Sequence, residues 1–280
     1  PELVRTARAR TAAFVGADPD SLVFVENVTV GINQVFASVA PTPGAVVLTT
    51  DVEYGAYRRI FERFRAVGAE VRIVPIPAPF GAPEELAEII VRAICPKTTL
   101  LFMSHLSSPT ALIMPVDTVC AAARDRGVMT VIDGAHAVGQ LDLELGRMDP
   151  DFYLGNLHKW SCAPRGAGFL YARADRRSML RPLVVSWGGE LRAAVGDPFL
   201  DGAFWTGTRD YAAYLAVPAA LDWRAANRWE EVSAACRLLA HETEARFRRE
   251  LDLPVLYRDP ERGFAQMFAL SLPGTIRSDL

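Results

Sequence analysis

The chain has 280 residues, enough to bury a sizeable core as one large domain or two. It is 50% hydrophobic and 22% charged, with a net charge of -3, so neither a disordered chain nor a partner of polyanions or membrane surfaces is suggested. No apolar run approaches the roughly 18 residues of a membrane span, and no signal peptide is visible. The expected compartment is therefore the cytoplasm. The start at Pro1 rather than Met suggests a processed, trimmed or partial chain. The four cysteines, Cys95, Cys120, Cys162 and Cys236, are widely spaced and form no C-x-x-C pair, so zinc-ribbon and thioredoxin-type motifs find no support. They read as reduced thiols, with Cys162 as a small buried hydrophobe and no metal site among them.

Apolar residues at Leu3, Val4, Ala7, Ala12, Ala13 and Phe14 predict a first helix from Glu2, ended by Gly16. Ser21–Glu26 predicts a strand. Asn27-Val28-Thr29-Val30-Gly31 then opens a helix running to about Val39. The unpaired amides of such a start carry partial positive charge and suit a phosphate. A plain N-cap by Asn27 or Thr29 accounts for the same residues.

Ala45–Thr50 is the next predicted strand. It leads through Asp51-Val52-Glu53-Tyr54 into an Arg-rich helix, Tyr57–Ala66, where Tyr54 reads as an aromatic packing at the helix entry. A strand over Glu70–Pro75, a proline-marked loop, a helix over Glu84–Ala93 and a strand over Thr98–Ser104 follow. Ser107 and Ser108 come just after that strand, where their hydroxyls can cap the turn or donate to a bound oxygen. A helix over Val116–Arg126 closes at Gly127. Strands and helices alternating at this short spacing predict an α/β fold with a mainly parallel sheet and helices on both faces.

Two short apolar runs then end in chemistry. Val128–Ile132 ends in Asp133-Gly134-Ala135-His136. Asp151–Leu154 ends in Gly155-Asn156-Leu157-His158-Lys159-Trp160, before Gly166–Tyr171. Short apolar runs bounded by turn residues read as buried strands, and ligands of open α/β sheets bind at strand ends. Of the 30 Lys plus Arg residues, only Lys97 and Lys159 are Lys. Lysine, unlike arginine, readily loses its proton and becomes a nucleophile, and apolar neighbours favour that by desolvation. A partly buried lysine whose stem packs on Trp160 is the plainer reading of the same residue. A lysine amine can form a Schiff base with an aldehyde cofactor, while a carboxylate keeps a pyridinium nitrogen protonated. Together these are the two roles a protein supplies to pyridoxal 5'-phosphate (PLP). No G-x-G-x-x-G, G-x-x-x-x-G-K-[ST] or G-x-S-x-G pattern points instead to a dinucleotide fold, a P-loop or a hydrolase elbow.

Beyond Tyr171 the pattern changes. Arg173–Val185 reads as a charged connector, and Trp187-Gly188-Gly189 through to Phe204 as an exposed loop. Gly207-Thr208 precedes a helix over Tyr211–Ala226, again a shape that suits an anion or a plain N-cap. Glu230–Arg249 predicts an amphipathic helix. Val255, Leu256 and Phe268–Leu272 predict strands of a smaller domain. The expected division is 1–225 and 226–280.

D-G-A-H-A followed by G-N-L-H-K-W resembles the class V aminotransferase group of fold-type I PLP enzymes, and most resembles its isopenicillin N epimerase-like branch. The resemblance runs from about Pro1 to beyond Pro218. It implies an aspartate aminotransferase-like large domain with a seven-stranded-type sheet, plus a partial small α+β domain. It implies PLP held by Lys159, with Asp133 on the pyridine nitrogen and His136 on or beside the ring oxygen. Tyr54 would stack on the ring and Ser108 would sit near its hydroxyl. Val28, Thr29, Asn156 and His158 would contact the phosphate, and Thr208 would reach the phosphate of a neighbouring subunit in a homodimer. The implied substrate is a small molecule, an amino acid or an amino-acid-derived compound, with no nucleic acid or membrane partner. Lys159, once freed, would be the acid/base for the Cα proton. Cα epimerisation or aminotransferase-type chemistry ranks first, C–S lyase or desulfurase chemistry second, and an inactive cofactor-binding scaffold is retained. Family members continue past the position matching Leu280 and carry there an Arg for the substrate carboxylate. No match to it is visible, so the small domain is expected to be incomplete.

Overall fold

The computed structural model describes residues 2–186, 199 and 203–272. One seven-stranded sheet organises them. Its strands are β1 (Leu22–Val25), β2 (Val46–Thr50), β3 (Glu70–Val74), β4 (Thr98–Ser104), β5 (Met129–Asp133), β6 (Phe152–Asn156) and β7 (Gly168–Ala172), in the order β1-β7-β6-β5-β4-β2-β3. Every pairing is parallel except those of β7, which runs antiparallel to both β1 and β6.

The helices are α1 (Glu2–Phe14), α2 (Val28–Ser38), α3 (Tyr57–Ala66), α4 (Pro83–Ala93), α5 (Val116–Arg124), α6 (Leu145–Met148), α7 (Ala212–Leu215), α8 (Val217–Ala226), α9 (Trp229–Glu250) and α10 (Pro260–Gly263). Both faces of the sheet are covered, because successive strand residues point to opposite sides. Leu22, Phe24, Leu101, Met103 and Ile132 join the core shared with α1, α4, α5, α7 and α8. Val23, Val25, Leu100, Phe102 and Val131 join the core shared with α2 and α3. This two-sided burial explains why the inner strands read as largely apolar runs, whereas β3, at the sheet edge, alternates and is only partly buried.

The predicted mainly parallel sheet is what forms, and the predicted strands and helices up to Tyr171 fall close to their expected limits. Two expectations further on are corrected. The helix expected over Tyr211–Ala226 is broken into α7 and α8, since Pro218 has no N–H to continue the ladder and stands in the first turn of α8. Val255, Leu256 and Phe268–Leu272 form no strands. Their backbone groups find other partners: Phe80 N–H donates to Leu256 O at 2.7 Å, and Ala269 N–H to the Tyr257 hydroxyl at 2.8 Å. Leu256 and Phe268 pack on the large core. The expected exposed loop from Trp187-Gly188-Gly189 to Phe204 lies mostly outside the described residues, but Phe199 and Ala203 within it are buried. No helix among the described residues is long and apolar enough to cross a membrane.

Candidate active site

Four adjacent parallel strands, β6, β5, β4 and β2, end in Asn156, Asp133, Ser104 and Thr50. β1 runs in the same sense, so α2, which follows it, starts beside Asn156. The join is explicit: Val28 N–H donates to Asn156 Oδ1 at 3.0 Å. A cleft of about 230 Å³ lies over these ends. Eight of the ten sequence-predicted site residues line it: Val28, Thr29, Tyr54, Ser108, Asp133, His136, Asn156 and Lys159.

Asp133 is buried, at 5% exposure. Ala135 N–H donates to its Oδ1 at 2.8 Å, and the Tyr57 hydroxyl donates to its Oδ2. Burial raises its pKa, while the Tyr57 and Ala135 hydrogen bonds and the Lys159 charge act the other way. Burial and the Asp133 charge also push the Tyr57 phenol far up, which keeps it a donor.

Lys159 Nζ lies 2.9 Å from His136 Nε2, and the Trp160 indole N–H donates to His136 Nδ1 at 3.3 Å. Burial, with Lys159 alongside, lowers the His136 pKa to about 4. Lys159 as a residue is exposed. Its amine pKa is nevertheless lowered, chiefly by desolvation, with Asp133 opposing. Tyr54 lines the cleft at 47% exposure, and its ring meets Tyr57 edge-on at 5.7 Å.

Two predicted residues do not line the cleft. His158 Nδ1 is 2.8 Å from Ala167 O, which ties the Lys159 turn to the start of β7. Thr208 is exposed. Cys162, expected to be buried, is exposed instead, because the turn after Trp160 takes φ +63° there and carries the thiol outward.

Sequence reasoning missed Tyr57, Glu53 and Ser104. Ser104 Oγ and N–H both donate to Glu53, the latter at 2.8 Å, and Thr50 Oγ1 donates to Glu53 at 2.6 Å. The stretch from the end of β2 to the first residue of α3 thus clamps two neighbouring strand ends, through Glu53 on Ser104 and Tyr57 on Asp133. The one signal available was an acid placed three residues past a strand.

Burial raises the Glu53 pKa to about 7, with Asp133 adding to the effect. The folded chain therefore holds a proton that the unfolded chain releases between its ordinary value of 4.5 and about 7, and stability falls as pH rises through that window. Glu53→Gln removes the titration. The variant is expected to gain on wild type by roughly 1–2 kcal/mol between pH 5 and pH 8, less than the full shift because part of Glu53 faces solvent. Urea unfolding at the two pH values checks this, and an unchanged difference would count against it.

The residues can hold an aldehyde-bearing, phosphorylated ring. The Val28 and Val30 amides are taken by Asn156 and Asn27, so Thr29, which lines the cleft, is the first-turn residue whose N–H could serve an anion there. Lys159 offers an amine and Asp133 a buried carboxylate in the same cleft. A mainly parallel α/β sheet with a lysine and an aspartate at neighbouring strand ends defines the class.

Residues 2–279 match the family model for Aminotransferase class-V, and the chain belongs to that family. It is 41% identical over 259 residues to an isopenicillin N epimerase of Amycolatopsis lactamdurans, covering 88% of this chain and 65% of that protein. It is 33% identical to a putative L-cysteine desulfhydrase of Oryza sativa subsp. japonica, covering 85% of this chain and 52% of that protein. Among solved structures, a C-DES mutant with glycine covalently linked to its PLP cofactor matches with a TM-score of 0.77 and 25% identity, over 94% of this chain and 70% of that one. The chain therefore spans about two thirds of the epimerase and half of the desulfhydrase.

Proposed function

We propose that this chain is the cofactor-binding part of a PLP-dependent enzyme that acts on an amino acid or amino-acid-derived substrate in the isopenicillin N epimerase-like manner. One observation carries the reading: Lys159, His136 and Asp133 converge on a single cleft beside the first turn of α2. Lys159 would hold the cofactor through its amine, Asp133 would face the ring nitrogen, and Thr29 with the start of α2 would take the phosphate. Tyr54 and Ser108 border the ring's place, with Val28 and Asn156 fixing the start of α2. PLP, when bound, supplies an electron sink that acidifies the substrate Cα–H.

The chain's own residues do the rest. Asp133 holds a negative charge opposite the ring. Lys159 would take up the Cα proton and could return it. His158 anchors the turn that carries Lys159. Thr208 serves the site of a second copy in a homodimer. The division we propose between large and small domains, at 225/226, falls before the last residue of α8.

The test is an absorbance spectrum of the purified protein with added PLP, for wild type and Lys159→Ala. A visible band that survives dialysis in wild type and is missing in the variant is expected. No band in either protein, or an equal band in both, would overturn the reading. A second reading, C–S lyase chemistry, is favoured by the identity to the desulfhydrase. Incubating the loaded protein with amino acids separates the two, since epimerisation inverts Cα and lyase chemistry releases sulfide from cysteine.

A further inference from the structure

Two hydrogen bonds meet at the His136 ring, one at each nitrogen. An indole N–H can only donate, so Trp160 Nε1, 3.3 Å from His136 Nδ1, makes that nitrogen an acceptor. A neutral imidazole with Nδ1 accepting carries its proton on Nε2. That Nε2 lies 2.9 Å from Lys159 Nζ. An ammonium has three donors and no acceptor, so it cannot receive this N–H. A neutral amine can. Both hydrogen bonds are therefore satisfied together when Lys159 is unprotonated.

We propose that Trp160 is a positioning residue: its indole N–H fixes His136 as the Nε2–H tautomer, and that N–H holds Lys159 as the neutral amine able to attack a carbonyl. The main chain that carries the indole is itself held in place. Arg224 donates to Trp160 O at 2.6 Å, and its guanidinium rests over the rings of Phe14 and Trp229 at 5.4 and 5.3 Å. From the other side, Gly139 comes so close that an added Cβ would stand 2.6 Å from the Trp160 carbonyl carbon.

The charged and titratable groups that face Lys159 pull in different directions. Asp133, on the end of β5, favours the ammonium, whereas burial of the amine favours the neutral form. Lys159 in turn lowers the pKa of both His136 and His158, so an ammonium there and an imidazolium beside it exclude one another. The tautomer adds a specific hydrogen bond on the neutral side of this balance.

The proposal deepens the reading of Lys159 as the reacting amine, and it rests on that reading. Its measurements use the full chain without cofactor, so a failed PLP spectrum and a failed tautomer assignment are distinguishable. The chain has four histidines and two lysines, so labelled side-chain signals are few and single substitutions assign them. Nitrogen NMR of labelled histidine is expected to show His136 in the Nε2–H form at neutral pH. In Trp160→Phe, which keeps an aromatic ring and removes the donor, both tautomers should be populated. The Lys159 titration midpoint, read from carbon-labelled lysine and assigned with Lys159→Arg, should rise by about one pH unit, the roughly tenfold change that one hydrogen bond is worth.

A merely structural Trp160 would alter the thermal midpoint and leave the tautomer and the lysine midpoint in place. His136 in the Nδ1–H form in wild type overturns the proposal without any variant. So does an unshifted Lys159 midpoint in a folded Trp160→Phe.

Discussion

Asp133→Asn in the PLP-loaded protein is expected to slow Cα-hydrogen exchange of its amino-acid substrate at least about 100-fold, the usual cost of losing one preorganised electrostatic partner. Exchange into deuterated water is the chosen readout because epimerisation and C–S cleavage both begin by removing that hydrogen. The same variant is expected to be more stable than wild type when cofactor-free at neutral pH. Burial raises the Asp133 pKa, so the folded chain holds its proton more tightly than the unfolded chain. Stability is then lost as pH rises from the ordinary carboxylate range through the folded value, and at neutral pH the ionised group carries a desolvation cost. Asparagine removes that cost and retains both contacts. Its Oδ1 accepts from the Ala135 amide, as now, and its Nδ2 can donate to the Tyr57 oxygen. A faster-exchanging or equally active variant would sink the electrostatic role. A clear fall in the thermal midpoint would mean that Asp133 serves the fold rather than the site.

Gly139→Ala carries the second large effect, this time on stability. Gly139 has φ +89°, which an L side chain rarely adopts. Its missing Cβ also lets the turn after β5 lie against the backbone of the Lys159 turn. A Cβ would stand 2.6 Å from Trp160 C, 2.8 Å from Ser161 N and 2.8 Å from Trp160 O. All three are main-chain atoms, which cannot rotate away as a flexible side chain would. Backbone strain and overpacking together are expected to cost about 2–4 kcal/mol. Because two of the displaced atoms belong to Trp160, PLP affinity should fall as well. Urea unfolding and a PLP titration measure the two effects. A loss below about 0.5 kcal/mol would mean that the two turns do not meet as described.

Much of this site was legible in the chain because its parts are local. Asp133-Gly134-Ala135-His136 and Asn156-Leu157-His158-Lys159-Trp160 each hold a strand end and its polar residues within a few positions. Two apolar runs bounded by turn residues announced the strands that carry them. The order of strands and helices up to Tyr171 was legible for the same reason: each element has its own periodicity and its own stop signal, such as Gly16 or Gly127.

Only the tertiary structure brought β5 beside β6 and β4 beside β2, and so placed residues far apart in sequence in one cleft. Tyr57 looked like the first residue of an Arg-rich helix, yet its hydroxyl reaches Asp133, 76 positions away. Glu53 looked like a turn acid, yet it holds Ser104, 51 positions away. The C-terminal strands expected at Val255 and Phe268 did not form, because β-strands need partners and side-chain and loop backbone groups took those hydrogen bonds first. The sequence by itself determined which side chains could do the chemistry and where the chain would turn. Which of them touch, which nitrogen of His136 carries its proton, and how far Asp133 is stripped of water depend on long-range packing, which no local pattern encodes.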